Sequence, residues 1–144
     1  MQQGEGFDIC HSVEAVLSLF FYLSSGPAKD LKISMEKDCI FCQIIQGEKP
    51  GDFVYRGDSI VAFNDKNPQA PVHILILPVK HIRSVNDLTD EDRMIIAEMF
   101  IKAKDIAGDM GIARSGYKLV FNVERGGGQI VFHLHLHLIG GWDR

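Results

Sequence analysis

His133-Leu134-His135-Leu136-His137 places an imidazole at every second position of a strongly apolar run. In an extended chain successive side chains point to opposite faces, so the three histidines share one face and Leu134 and Leu136 the other. Ile130, Val131 and Phe132 lead in, Leu138 and Ile139 lead out, and Gly140-Gly141 ends the run. Such β-branched and aromatic flanks predict a strand. On a helix the same three rings would fan around the axis and fail to converge. A row of imidazoles titrates near neutrality, binds metal, or attacks an electrophile and passes protons. One histidine in such a strand is ordinarily a satisfied core residue, but three alternating on one face call for chemistry.

The 144-residue chain is long enough for one domain with a substantial core. Its net charge of −4 is made of both signs spread along the sequence, with no basic stripe, so no nucleic-acid polymer is expected as a partner. Only three cysteines occur, two of them in Cys39-Ile40-Phe41-Cys42. That is not a disulfide framework; it predicts a reducing, cytoplasmic setting and allows a metal. The apolar stretch from Ala15 to Leu23 is too short to span a membrane. Glu5, Asp8 and Glu14 precede it where a signal peptide carries basic residues.

Residues 1–34 read differently from the rest. Val13, Val16, Leu17, Phe20 and Phe21 have roughly helical spacing, and Ser24-Ser25-Gly26-Pro27 ends it. This segment is either an N-terminal extension upstream of a domain at 35–144 or a helix packed on that domain. From Asp38 the pattern is regular. Asp38 is a candidate N-cap for a short helix over Cys39 to Ile45, closing near Gly47. Strands are predicted at Phe53 to Arg56, Ser59 to Asn64, Val72 to Leu77 and Tyr117 to Asn122, with the histidine run as the fifth. A long helix is expected from Thr89-Asp90-Glu91-Asp92 to about Asp109, with Ile95, Met99, Lys102 and Ile106 along one side. This order predicts an α+β domain: a five-stranded antiparallel sheet with helices on one face.

Three further constellations carry chemistry. Asn122 to Gln129 contains Gly126-Gly127-Gly128, a loop that either cradles an anion with backbone N–H groups or simply turns a hairpin. The thiols of Cys39 and Cys42 can share a metal with two more ligands, such as His81 and a triad histidine, or stand as reduced core cysteines. A redox pair is disfavoured because no thioredoxin-like βαβ pattern surrounds them. Asp65 lies in the loop Asn64 to Pro71, where it binds sugar hydroxyls or only shapes the turn, and His73, on the apolar strand that follows, is a core residue or a partner of the site, the core reading being favoured.

Together these residues resemble the histidine triad (HIT) family, whose signature is His-φ-His-φ-His-φ-φ with φ apolar; here it reads His133-Leu134-His135-Leu136-His137-Leu138-Ile139. Cys39 to Ile45, Asp65 to Pro71 with His73, Leu77-Pro78-Val79-Lys80-His81-Ile82 and Gly127-Gly128-Gln129 match in the same order. The likeness spans about Asp38 to Gly141 and is greatest to the Hint branch, the purine nucleoside phosphoramidases. It implies a homodimer in which two five-stranded sheets, each with two helices, join into a ten-stranded sheet.

The resemblance also implies a mechanism. His135 would attack the α-phosphorus of a nucleoside 5′-phosphoramidate, and water would release the nucleotide from the resulting nucleotidyl-histidine. His137 would assist at the phosphate or leaving group, and His73 moves from core residue to active-site partner. Backbone donors near Gly128 and Gln129, with Asn122, would hold phosphate, and Asp65 the ribose. Ile40, Phe41, Ile44 and Phe63 would enclose the purine. Cys39, Cys42, His81 and His133 would bind a structural zinc ion, not required for the chemistry. Three departures stand out. Ile130 replaces a frequent serine, Lys66 follows Asp65 where an apolar residue is common, and little chain follows Gly141. Two other readings remain open: a dinucleoside polyphosphate hydrolase, and a nucleotide-binding protein of low activity. A catalytic metal on the triad is disfavoured, because alternate strand residues lie about 6–7 Å apart.

Overall fold

The computed structural model describes residues 36–143. The helix expected within residues 13–21 and the boundary at Met35 lie outside them. Alternation of side chains divides the strands into two apolar faces. Strands β1 (Phe53–Arg56), β2 (Ile60–Asn64), β3 (Val72–Pro78), β4 (Tyr117–Phe121) and β5 (Leu136–Gly140) form one antiparallel sheet in the order β1-β2-β3-β5-β4. Ile60, Ala62, Ile74, Ile76, Leu136 and Leu138 pack on one side against Met99, Ala103, Ile106 and Ala107 of helix α2 (Arg93–Asp109). Val61, Phe63, Leu75 and Leu77 pack on the other against Phe41, Cys42 and Ile45, around helix α1 (Ile40–Ile45).

The fold class is therefore the expected one, with the helices on opposite faces of the sheet instead of one. The reason lies in β2 and β3, whose residues are apolar on both sides and so demand two cover layers. Capping of α1 also differs: the N-cap is Cys39, whose Sγ accepts the Cys42 N–H at 3.5 Å, and not Asp38. The acidic run at Thr89 makes a 3-10 turn, Asp90–Asp92, before α2 begins. Lys102, expected on the packed side of α2, instead sets its ammonium over the Tyr55 ring, 3.9 Å from the centroid.

The histidine strand is shorter than the sequence predicts. β5 begins at Leu136, so only His137 lies within it, and His133 and His135 sit in the segment leading into it. Hydrogen bonds to their own surroundings hold that segment out of the ladder, among them Leu134 N–H to the Ile82 carbonyl. Gly140 ends β5 where packing is tight: a Cβ there would lie 2.8 Å from Ile112 Cδ1.

The segment after β3 is tied to α2 by a buried carboxylate. Asp92 accepts from Lys80 Nζ at 2.8 Å and from the Thr89 N–H and hydroxyl at 2.9 and 3.1 Å. Lys80 and these N–H and O–H donors hold its carboxyl below the usual range. Asp92→Ala is expected to lower unfolding free energy at neutral pH by about 2 kcal/mol, since it strands the donors around a buried site. A depressed carboxyl stabilises above its unfolded pKa, and that contribution fades as pH falls through the folded value. Chemical denaturation of both proteins should thus show a gap at pH 7 that narrows in acid; an equal gap at both pH values would contradict this assignment.

Candidate functional site

On the α1 face, a cavity of about 840 Å³ opens between α1, β2, the loop after β2 and the start of β5. Of the residues expected to touch a nucleotide, Ile40, Phe41, Ile44, Phe63, Asp65, Asn122 and Gly128 line it, together with His135 and His137. Its apolar wall is built by edge-on aromatic packing. Phe41 meets Phe63 with ring centroids 5.6 Å apart and His135 at 5.2 Å, the latter almost perpendicular. The lining also has a polar part, carrying Asp65, Lys66, Asn67 and Gln69.

The two histidines of the cavity are neighbours, with ring centroids 4.8 Å apart. Their hydrogen-bond partners fix which nitrogen carries the proton. His135 Nδ1 lies 2.6 Å from the carbonyl oxygen of His133. A carbonyl only accepts, so Nδ1 carries the hydrogen, and the neutral ring keeps a free lone pair on Nε2. Burial pushes the His135 pKa down, against the opposing pull of that hydrogen bond, which favours the neutral form at pH 7.

His137 is set the other way. The backbone N–H of Gln69 donates to His73 Nδ1 at 3.0 Å, so His73 carries its hydrogen on Nε2. That Nε2–H faces His137 Nδ1 at 2.9 Å, with Asp65 Oδ2 also near, at 3.3 Å. His137 Nδ1 then accepts, and its own hydrogen sits on Nε2. The amide nitrogen of Asn122 stands 3.4 Å from that Nε2; the Nε2–H assigned here calls for the amide turned end for end, so that its oxygen accepts. Burial, helped by His135 and His73, pushes the His137 pKa down to about 4. Two adjacent imidazoles thus offer complementary groups, a lone pair on one and an N–H donor on the other.

The glycine loop forms a 3-10 turn over Arg125–Gly127 and leaves through Gly128 in the left-handed region, φ 85°. The N–H groups of Gly128 and Gln129 donate to the carbonyls of Arg125 and Glu124 within the turn. The Gln129 side chain is buried behind the loop, accepting from the Glu124 N–H and donating to the carbonyls of Arg83 and Val131. Glu124 is held at φ 58°, ψ 175°, a conformation favouring glycine. Arg83 secures it with a bidentate pair of 2.6 and 2.7 Å, which keeps the Glu124 carboxyl below its usual range. Neither Arg83 nor the Gln69 N–H was legible as a site group. Gln69 contributes only backbone, and nothing in the sequence links Arg83 to Glu124.

His133 joins a different group. Its Nδ1 lies 3.5 Å from both Cys39 Sγ and Cys42 Sγ and 3.2 Å from His81 Nδ1, and His81 Nδ1 lies 3.4 Å from Cys42 Sγ. All four ligand atoms fall within 4.8 Å of one another, close enough to hold a metal ion. His133 Nε2–H donates to the Pro78 carbonyl at 2.8 Å, which turns the Nδ1 lone pair into the cluster. The carboxylate of Glu36 lies 4.0 Å from the outer nitrogen of His81. Burial lowers the His133 pKa to about 4 and raises the Cys42 thiol to about 11. A bound cation reverses the second effect by stabilising thiolate.

Residues 38–142 match the family model described as scavenger mRNA decapping enzyme C-term binding. Over 107 residues the chain is 47% identical to the purine nucleoside phosphoramidase of Escherichia coli K12, an alignment covering 74% of this chain and 90% of that protein. An uncharacterised HIT-like protein of Synechocystis is 45% identical over the same length, covering 93% of it. Among solved structures, a HIT family hydrolase from Legionella pneumophila superposes with a TM-score of 0.72 at 50% identity, covering 74% of this chain and 95% of that one. A histidine triad protein from Clostridium difficile gives 0.73 at 40% identity, covering 76% and 95%. Among the described residues, no helix is long and apolar enough to cross a membrane. With His135 and His137 lining one cavity, His133 joining the adjacent cysteine cluster, and the match running through the whole sheet, the chain belongs to the histidine triad family.

Proposed function

We propose that the chain hydrolyses purine nucleoside 5′-phosphoramidates, such as adenosine 5′-monophosphoramidate, through a nucleotidyl-His135 intermediate. The observation that carries this reading is the hydrogen-bond pattern at the cavity: the His133 carbonyl at His135 Nδ1 leaves the lone pair on Nε2, and His73 at the neighbouring His137 Nδ1 assigns the N–H of that ring to Nε2. The phosphoramidase name of the 47% identical relative supports the substrate class. The apolar wall of Phe41, Ile44 and Phe63 suits a purine, and Asp65 suits the ribose hydroxyls.

In the first step the His135 Nε2 lone pair forms a bond to the α-phosphorus while the phosphorus–nitrogen bond to the amine breaks. The departing amine takes a proton from solvent. The ring becomes cationic and keeps Nδ1–H, whose charge-assisted bond to the His133 carbonyl strengthens. His137 Nε2–H and Asn122 stabilise the charge on the phosphoryl oxygens. In the second step water attacks phosphorus, losing a proton to solvent, and His135 departs as a neutral imidazole.

The same reading assigns residues 35–144 to the catalytic domain and residues 1–34 to an appended extension, supported by a family match that starts at residue 38. It also assigns zinc to Cys39, Cys42, His81 and His133. A tetrahedral zinc ion with bonds of about 2.0 Å to nitrogen and about 2.3 Å to sulfur sets nitrogen pairs about 3.3 Å apart and nitrogen–sulfur pairs about 3.5 Å apart. The distances of 3.2 Å and of 3.4 to 3.5 Å fit those edges. Four protein ligands leave no position for substrate, so zinc there is structural. Dimerisation fits the edge of β4, unpaired among the described residues, where the exposed Phe100 meets Phe121 of that strand. Native mass spectrometry is expected to find a dimer with one zinc per chain, and a metal-free monomer would contradict both assignments.

A second reading, nucleotide binding with little turnover, rests on Ile130, which is 89% exposed at the cavity and brings no hydroxyl there. Turnover of adenosine 5′-phosphoramidate, alkyl and aminoacyl phosphoramidates and a diadenosine polyphosphate separates the readings. We expect the phosphoramidates to be the better substrates and His135→Ala to lower kcat by about 10⁴-fold or more with the fold retained. Undiminished turnover in that variant would end the proposed mechanism; tight nucleotide binding without turnover of any compound would favour the second reading.

A further inference from the structure

The buried ligand cluster and the catalytic cavity share a single peptide unit. The carbonyl of His133 and the N–H of Leu134 are the two ends of one planar group and point in opposite directions. The carbonyl holds His135 Nδ1, and the N–H donates to the carbonyl of Ile82. The residues flanking this clamp belong to the cluster: His133 on one side, and His81, next to Ile82, on the other. The other two ligands act on the opposite side of the nucleophile. Cys39 caps α1 and Cys42 lies in its first turn, and between them Phe41 sets its ring against His135 at 5.2 Å. The four ligand side chains thus flank both supports of His135, the peptide that bonds its Nδ1 and the aromatic ring that meets it nearly perpendicular.

We propose that a metal ion in this cluster positions the nucleophile: by joining Cys39 and Cys42 to His81 and His133, it locks the 133–134 peptide and Phe41 around the His135 ring. This rests on the zinc assignment above and extends it from a support of the fold to a determinant of catalytic rate. His133 is then a positioning residue that acts through its main chain, while its side chain answers to the ion. Sheet integrity does not depend on the ion in this account, because β5 is paired on both sides by β3 and β4 independently of the cluster.

The test uses the full chain with ¹⁵N-labelled histidine, compared as purified, after chelator treatment and after return of one equivalent of zinc, with Cys39→Ser in parallel. Zinc uptake is measured by equilibrium dialysis, ring tautomers by long-range ¹H–¹⁵N spectra, strand integrity by amide exchange of β5, and kcat on adenosine 5′-phosphoramidate. With zinc, His135 should show one tautomer, protonated at Nδ1. Stripping should average its two nitrogen signals and lower kcat by about 10–100-fold, with β5 amides still protected. Zinc should restore both in wild type and not in Cys39→Ser. The spectra need no turnover, so they answer independently of substrate. Zinc uptake with unchanged His135 signals and rate would overturn the positioning link and leave the zinc assignment standing. No uptake by the wild-type chain would overturn both. Loss of β5 protection on stripping would also overturn the link, because the ion would then hold the fold as a whole.

Discussion

A backbone carbonyl, that of His133, decides what the neighbouring imidazole can do. A neutral imidazole has one lone pair and one N–H, and an unconstrained ring in water exchanges them freely. Here the 2.6 Å contact assigns the hydrogen to Nδ1 and aims the lone pair of His135 Nε2 toward the cavity. Burial favours the neutral ring, the form in which the proposed nucleophile is reactive. The rest of the site is arranged around that lone pair. Gln69, His73 and His137 form a chain of hydrogen bonds that presents an N–H beside it, and Phe41 and Phe63 make the wall against which a base can lie.

Neither chain of hydrogen bonds works without a sheet that is apolar on both faces. One face takes α2 and forms most of the core. The other takes only the short helix α1, leaving part of that face for the cavity. The odd-numbered positions of β2, β3 and β5 supply Phe63, Leu75 and His137 to the cavity, and their even-numbered neighbours pack beneath α2. A ligand site and a hydrophobic core are thereby assigned to opposite sides of the same strands by side-chain alternation alone.

That alternation is what made the fold legible from sequence. Five strands and two helices were readable within a residue or so at most ends, because apolar periodicity and turn residues report directly on local structure. Of the candidate site, the alternating imidazoles and the paired thiols stood out by spacing, whereas Asp65 and His73 read as turn and core residues until the family resemblance placed them beside the triad. What could not be read was the part played by main chain. The sequence does not say that the Gln69 N–H, the Pro78 carbonyl and the His133 carbonyl each fix a ring, since every residue has such groups. Nor does it say that β5 starts at Leu136, and strand alternation treats all three histidines alike: that His133 joins the cysteines was expected only from the family resemblance, and long-range contacts bring it there. Asp38 was the N-cap expected from composition, but the sulfur of Cys39 takes that role by accepting the Cys42 N–H.

The account stands on His135 Nε2 as the atom that bonds to phosphorus. Rapid acid-free quenching of the protein with adenosine 5′-phosphoramidate, followed by peptide mass spectrometry and ³¹P–¹⁵N coupling on labelled protein, reads that bond directly. It should reveal an adenylyl group on His135, attached through Nε2. An adduct on His137, attachment through Nδ1, or turnover with no covalent species at any time would contradict it.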